Sequence, residues 1–102
     1  MEEEISVSLA ELQKRTADAC VNYLLSHQGV TGGPGFTRST AWRILRGCED
    51  SQGEAYSIAR QVLGGRVVNE QFCEVDGRRY NVLAVQMPTV GTVQLWIDTT
   101  AC

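Results

Sequence analysis

Residues 29–47 read GVTGGPGFTRSTAWRILRG, and the way this stretch is taken decides the architecture of the whole chain. Gly29, Gly32, Gly33 and Gly35, with Pro34 among them, argue for an irregular connection, because glycine leaves the backbone loose and proline removes a donor. Beyond it, Arg38 to Arg46 has the composition of a short helix. Thr37 or Ser39 can cap its start and Gly47 can end it. Ala41, Trp42, Ile44 and Leu45 supply an apolar side, while Arg43 and Arg46 share another at i, i+3. On this reading the stretch is an interhelix loop followed by a second helix.

The flanking sequence completes a helical N-terminal part. Ser8-Leu9-Ala10-Glu11 matches a capping box, and Leu9, Leu12, Thr16, Cys20 and Leu24 then recur at helical spacing until Gly29. Ser51-Gln52-Gly53-Glu54 is a second capping box. It opens a third helix whose stripe is Ala55, Ile58, Ala59, Val62 and Leu63, and Gly64-Gly65 breaks it. After that the period shifts from 3.6 towards 2. Residues 66–75 and 78–87 flank Asp76-Gly77, a strong hairpin signal. A two-residue loop there pairs Glu74 with Arg79 and Cys73 with Tyr80. The apolar alternation of the two strands agrees only in part, which calls for a bulge. Pro88 to Gly91 make a turn, and residues 92–98 alternate as a third strand with Trp96 on its otherwise polar face. The expected fold is therefore α+β in a single domain, 1–102. An acidic flexible lead-in (1–7) precedes a helical part (8–64) of three helices, and a three-stranded antiparallel meander follows (66–99).

The chain has 102 residues, enough for one core, with ordinary hydrophobic (43%) and charged (21%) content. No apolar run approaches the roughly 20 residues needed to span a bilayer, and Glu2, Glu3 and Glu4 follow Met1 where a signal peptide would be basic. A cytoplasmic protein without membrane contact is expected. The net charge is −3, and five of the acids fall in residues 1–35 against two bases. Eight of the nine bases are arginine, which suits bidentate contacts to carboxylates and phosphates. Cys20, Cys48, Cys73 and Cys102 are widely spaced with no close pair, so a metal site is not expected, while two disulfides are formally possible in three connectivities. Free thiols follow from the expected compartment. Cys102, the last residue, is expected to be exposed and able to cross-link dimers.

Lined up on Gly32, the glycine stretch can be set against the phosphate-binding pattern G-x-x-x-x-G-K-[ST]. Its GGPG opening resembles the loops of some helicase-type ATPases. Thr37, however, stands where the pattern needs glycine and Arg38 where it needs lysine; only Ser39 fits. The motif also follows a helix instead of a strand. What remains is an anion site made by Arg38 and Ser39 at the start of the second helix. His27, the one histidine, sits at a helix C-terminus and reads as a dipole partner, not a general base. Glu70 and Glu74 lie on one strand face about 13 Å apart, too far for a glycosidase pair. No catalytic set, cofactor or small-molecule substrate is expected.

The order helix, helix, helix, hairpin resembles a winged helix. Residues 37–45, TRSTAWRIL, are similar in style to stretches of helix-turn-helix proteins, and Gln71 to Leu83 looks like a wing. The resemblance implies a DNA-binding regulator in which the third helix, with Arg60, enters the major groove. Arg78 and Arg79 at the wing tip would meet the backbone or minor groove, and Arg43 and Arg46 would add positive charge. Against this, the third helix carries a single base, and duplex affinity leans on phosphate neutralisation. The expected function is instead a non-enzymatic interaction module, a small regulator or inhibitor that docks on a partner protein or on a second copy. Residues 92–98 are read as an edge strand open to pairing. Trp96 and Trp42 are the expected anchors, and Glu2, Glu3 and Glu4 an acidic patch for a basic partner.

Overall fold

A computed structural model of the chain describes residues 9–27, 29–46, 48–88 and 90–102, the first eight of these by their backbone. The acidic lead-in with Glu2, Glu3 and Glu4, and the capping box of Ser8 and Glu11, lie outside the described residues and side chains. The first helix, α1, spans Leu9–Ser26. It buries Cys20 and Tyr23 and leaves Val21 and Leu25 exposed. At its end His27 Nδ1 donates to the Tyr23 carbonyl at 3.0 Å, serving one of the carbonyls that a helix C-terminus leaves without a partner, and its ring stacks on Tyr23 at 3.8 Å.

The second helix expected over 38–46 does not form. The stretch instead makes strand β1, Val30–Gly32, a single 3₁₀ turn, Arg38–Thr40, and strand β2, Trp42–Ile44. The physical reason is the alternation Trp42-Arg43-Ile44. Trp42 and Ile44 are both fully buried, while Arg43 is exposed. That is a period of two, in residue types that favour a pleated surface. β1 pairs antiparallel with β2, with Val30 opposite Ile44 and Gly32 opposite Trp42. The glycines between the strands wrap the Trp42 indole. Gly33 and Gly35 have φ of 91° and 89°. A Cβ on them would lie 2.8 Å from Trp42 Cζ2 and 2.6 Å from its Cδ1. Pro34, in a cis peptide after Gly33, accepts the indole N–H at 2.9 Å through its carbonyl. The glycine-rich stretch is thus a backbone sleeve around a core tryptophan.

Helix α2 spans Ser51–Ile58 and widens into a π-helical turn, Ala59–Leu63, which Gly64 stops in the left-handed conformation at φ 68°. Its N-cap is Asp50, without a side-chain capping bond. Glu54 does not reach back as a capping box requires; its carboxylate accepts from the Tyr23 hydroxyl and so ties α2 to α1.

The hairpin strands are β3, Arg66–Val75, and β4, Arg78–Met87. Glu74 sits opposite Arg79 and Cys73 opposite Tyr80, as the Asp-Gly turn requires, and the register shifts at a bulge between Val67 and Asn69. β5, Gly91–Asp98, pairs antiparallel with β4 and parallel with β2, Trp42 opposite Ile97. The sheet order is β1-β2-β5-β4-β3. Among the described residues the fold is therefore α+β with two helices and a five-stranded mixed sheet, not three helices and a three-stranded meander. The winged-helix order is absent, and β5 is an interior strand, not an edge.

Both helices cover one sheet face, where Leu83, Val85, Leu95 and Ile97 meet Tyr23, Trp42, Ile44, Ile58 and Val62 in one core. The other face carries no helix among the described residues. Cys48 and Cys102 form a disulfide with Cα atoms 5.3 Å apart, which corrects the expectation of four free thiols; Cys20 (buried) and Cys73 (exposed) remain free. A disulfide persists where the surroundings oxidise. Among the described residues no helix is long and apolar enough to cross a membrane.

Candidate functional site

The open edge of the sheet at the hairpin is β3, and most of its residues are exposed. By their partners Leu83, Asn81 and Arg79, residues Glu70, Phe72 and Glu74 share the face on which the helices sit. Glu70 anchors the strand to the body. It accepts from Gln52 Nε2 at 2.8 Å, from the Tyr56 hydroxyl at 3.2 Å and from Asn81 Nδ2 at 2.6 Å. Beyond that anchor the helices no longer cover the strand, and Phe72 stands 75% exposed between the two carboxylates. Every second residue of such an edge directs its N–H and C=O away from the sheet, ready to pair with another chain.

On the opposite face lies a charged concavity of about 290 Å³. The 3₁₀ turn gives Arg38 and Ser39, β2 gives Arg43, the hairpin tip gives Val75 and Asp76, β4 gives Arg78 and Tyr80, and β5 gives Asp98. Asp98 is its keystone. It is 4% exposed; Oδ2 accepts from Arg78 Nε at 2.7 Å and has Arg43 Nε at 4.0 Å, while Oδ1 accepts from the Thr100 N–H at 2.9 Å. Burial alone would raise the Asp98 carboxyl, but the hydrogen bonds from Thr100 and Arg78 outweigh it and hold the group below its ordinary range. Arg38 Nη1 stands 3.7 Å from the Asp76 carboxylate at the hairpin tip, where both are well exposed, so that pair is screened and weak.

The Asp98 shift carries a testable consequence. A carboxyl with a depressed folded-state pKa stabilises the fold above the unfolded value of about 3.9, and that contribution is lost as pH falls through the folded-state value. Chemical denaturation of the wild type and of Asp98→Asn at a series of pH values from neutral to strongly acid checks this. The gap between the two stabilities should narrow towards low pH; parallel curves would remove Asp98 from the account.

The remaining residues singled out in the sequence are scattered. Trp42 is fully buried, so it is a core residue and not a partner anchor. Trp96 is half-buried on the open face with Tyr80 edge-on at 5.5 Å, and it sits on an interior strand. Arg38 and Ser39 are on a single 3₁₀ turn, not at a helix start, yet the fold brings them together with Arg43 and Arg78. Arg60 lies on the helical layer near Tyr23. Arg79 Nη2 bonds the Thr100 carbonyl at 3.3 Å, and Arg46 follows β2 against Gly29. The sequence reading missed Phe72, whose signal is an aromatic residue at i±2 from two glutamates. It also missed Asp98, which reads as an ordinary polar alternation. Burial raises the Cys20 thiol and makes it a poor nucleophile. No three metal-ligating side chains cluster among the described residues. Comparison with protein-family models, curated proteins and solved structures gives no match.

Proposed function

We propose that the chain is a non-enzymatic docking module, a small regulator or inhibitor that binds a partner protein by adding an extended segment of that partner to the edge of β3. The observation that supports this reading is the exposed Phe72 on a strand edge that has no partner among the described residues, flanked on its own face by Glu70 and Glu74. Main-chain pairing supplies affinity in this mode and the alternate side chains supply choice of partner. The charges select the occupant. A second copy paired antiparallel about Phe72 would set Glu70 directly opposite Glu74, and like charges directly opposite are destabilising. A segment with an apolar residue between two basic ones meets Phe72 and both carboxylates favourably. The duplex-DNA reading has less support, since the helix order it drew on is absent and Arg43 and Arg78 turn towards Asp98.

The test is affinity capture from host lysate with the wild type and with Phe72→Lys as bait, with and without nuclease, followed by hydrogen exchange on the complex. Phe72→Lys should keep the melting temperature, because the ring is mostly in solvent, and should weaken capture about 30-fold, the scale of an anchor residue. Amides of β3 should gain protection in the complex. Equal capture by Phe72→Lys, loss of capture on nuclease treatment, or protection confined to other strands would each defeat the reading.

A further inference from the structure

We infer that the concavity between the 3₁₀ turn, β2 and the hairpin tip is an anion site for a phosphate monoester, held by Arg38, Arg43 and Arg78 with the Ser39 hydroxyl. The inference stands apart from the docking reading, because this site lies on the other face of the sheet from Phe72.

Three guanidiniums and two carboxylates, Asp76 and Asp98, line the space, which leaves one positive charge in excess. The two carboxylates are not equivalent. Asp98 is buried beneath the floor and acts as an orienting group: Arg78 donates to its Oδ2 through Nε at 2.7 Å, and Arg43 faces the same oxygen more loosely, its Nε 4.0 Å away. A guanidinium held through Nε keeps its two terminal nitrogens for another oxyanion, and that planar fork matches phosphate oxygens. Asp76 stands at the exposed hairpin tip and meets Arg38 at 3.7 Å, a contact an incoming dianion can replace. Ser39 supplies a neutral donor beside Arg38. The space of about 290 Å³ lies at the lower limit of small-molecule pockets, roughly 300–1,000 Å³. It therefore suits one phosphoryl group with a short appendage better than a nucleotide. The phosphoryl group can arrive on a small metabolite or on a phosphorylated side chain of another protein, and the chemistry of capture is the same.

The experiment titrates the full-length oxidised chain with inorganic phosphate and with a short phosphoserine peptide, using sodium chloride at matched ionic strength as reference. It reads melting temperature and the NMR shifts of the arginine Nε–H groups. The expected result is saturable binding with shifts at Arg43 and Arg78, and a melting temperature raised on the order of 4–8 °C at about five times Kd. Arg43→Gln and Arg38→Gln should each weaken binding roughly tenfold or more. They are preferred to variants of Arg78, whose loss would leave Asp98 buried without its closest cation. Tighter binding of the peptide assigns the phosphoryl group to a protein, and tighter binding of free phosphate assigns it to a small molecule. Shifts that chloride reproduces, or phosphate binding unchanged in both variants, overturn the inference.

Discussion

Replacing Trp42 by alanine should lower stability by about 3–5 kcal/mol, the largest effect expected of a single side chain here. The indole is fully buried, with Tyr23 edge-on at 5.7 Å and Gly33 and Gly35 close enough to exclude any Cβ. Its N–H bond to Pro34 holds the sleeve that joins β1 to β2. Removal therefore leaves a cavity bounded by backbone, and a sleeve with that much backbone cannot collapse as a side chain can. Urea denaturation of wild type and Trp42→Ala, followed by far-UV circular dichroism, measures the difference. Trp42→Phe should fall between them, since it keeps most of the volume and loses the N–H. A loss under about 1 kcal/mol for the alanine variant would mean that the glycine stretch closes over the gap, against the rigidity argued here.

Breaking the Cys48–Cys102 bond should be of comparable size. The two cysteines are 54 residues apart, and closing a loop of that length removes about 4 kcal/mol of chain entropy from the unfolded state. For a domain near this size that corresponds to a fall in melting temperature of about 15–30 °C. Thermal denaturation with and without reductant tests it, and the Cys48→Ser/Cys102→Ser double variant should match the reduced protein. The loss should concentrate where the bond acts. Thr100 accepts the Arg79 N–H at 2.8 Å through its hydroxyl and donates its own N–H to Asp98, so reduction should loosen the Asp98 end of the arginine concavity first. An unchanged melting temperature on reduction would show that the bond constrains nothing the fold does not already hold.

The parts of the fold that were legible in the sequence are those whose signals are local. Asp76-Gly77 sets both the turn and the register on either side of it, and the alternation of Val93, Leu95 and Ile97 marks β5 without reference to anything distant. β1 and β2 are three residues each, so Trp42-Arg43-Ile44 offers little more than one period, and the surrounding Thr37, Ser39 and Gly47 imitate helix ends. That short alternation becomes a strand because it meets its parallel partner Ile97-Asp98, more than fifty positions along the chain. The misplaced edge follows from the same cause: without β2, β5 has no second neighbour. The arginine site was visible in pieces, Arg38 and Ser39 in one argument and Arg43 and Arg78 in another. Only the order β2-β5-β4 joins them, around an aspartate that the pattern alone marks as unremarkable. Phe72 was hidden because an aromatic residue in a strand reads as core, and whether a helix reaches far enough to cover it is a matter of tertiary geometry.

The disulfide has one more effect, on connectivity. It turns residues 48–102, which hold α2 and three of the five strands, into a covalent ring. A protease that cuts the exposed hairpin opens the ring but frees no fragment, so both halves stay tethered beside each other and can re-form the same sheet. A nicked molecule of this kind keeps its parts, and it comes apart only when a reductant arrives as well.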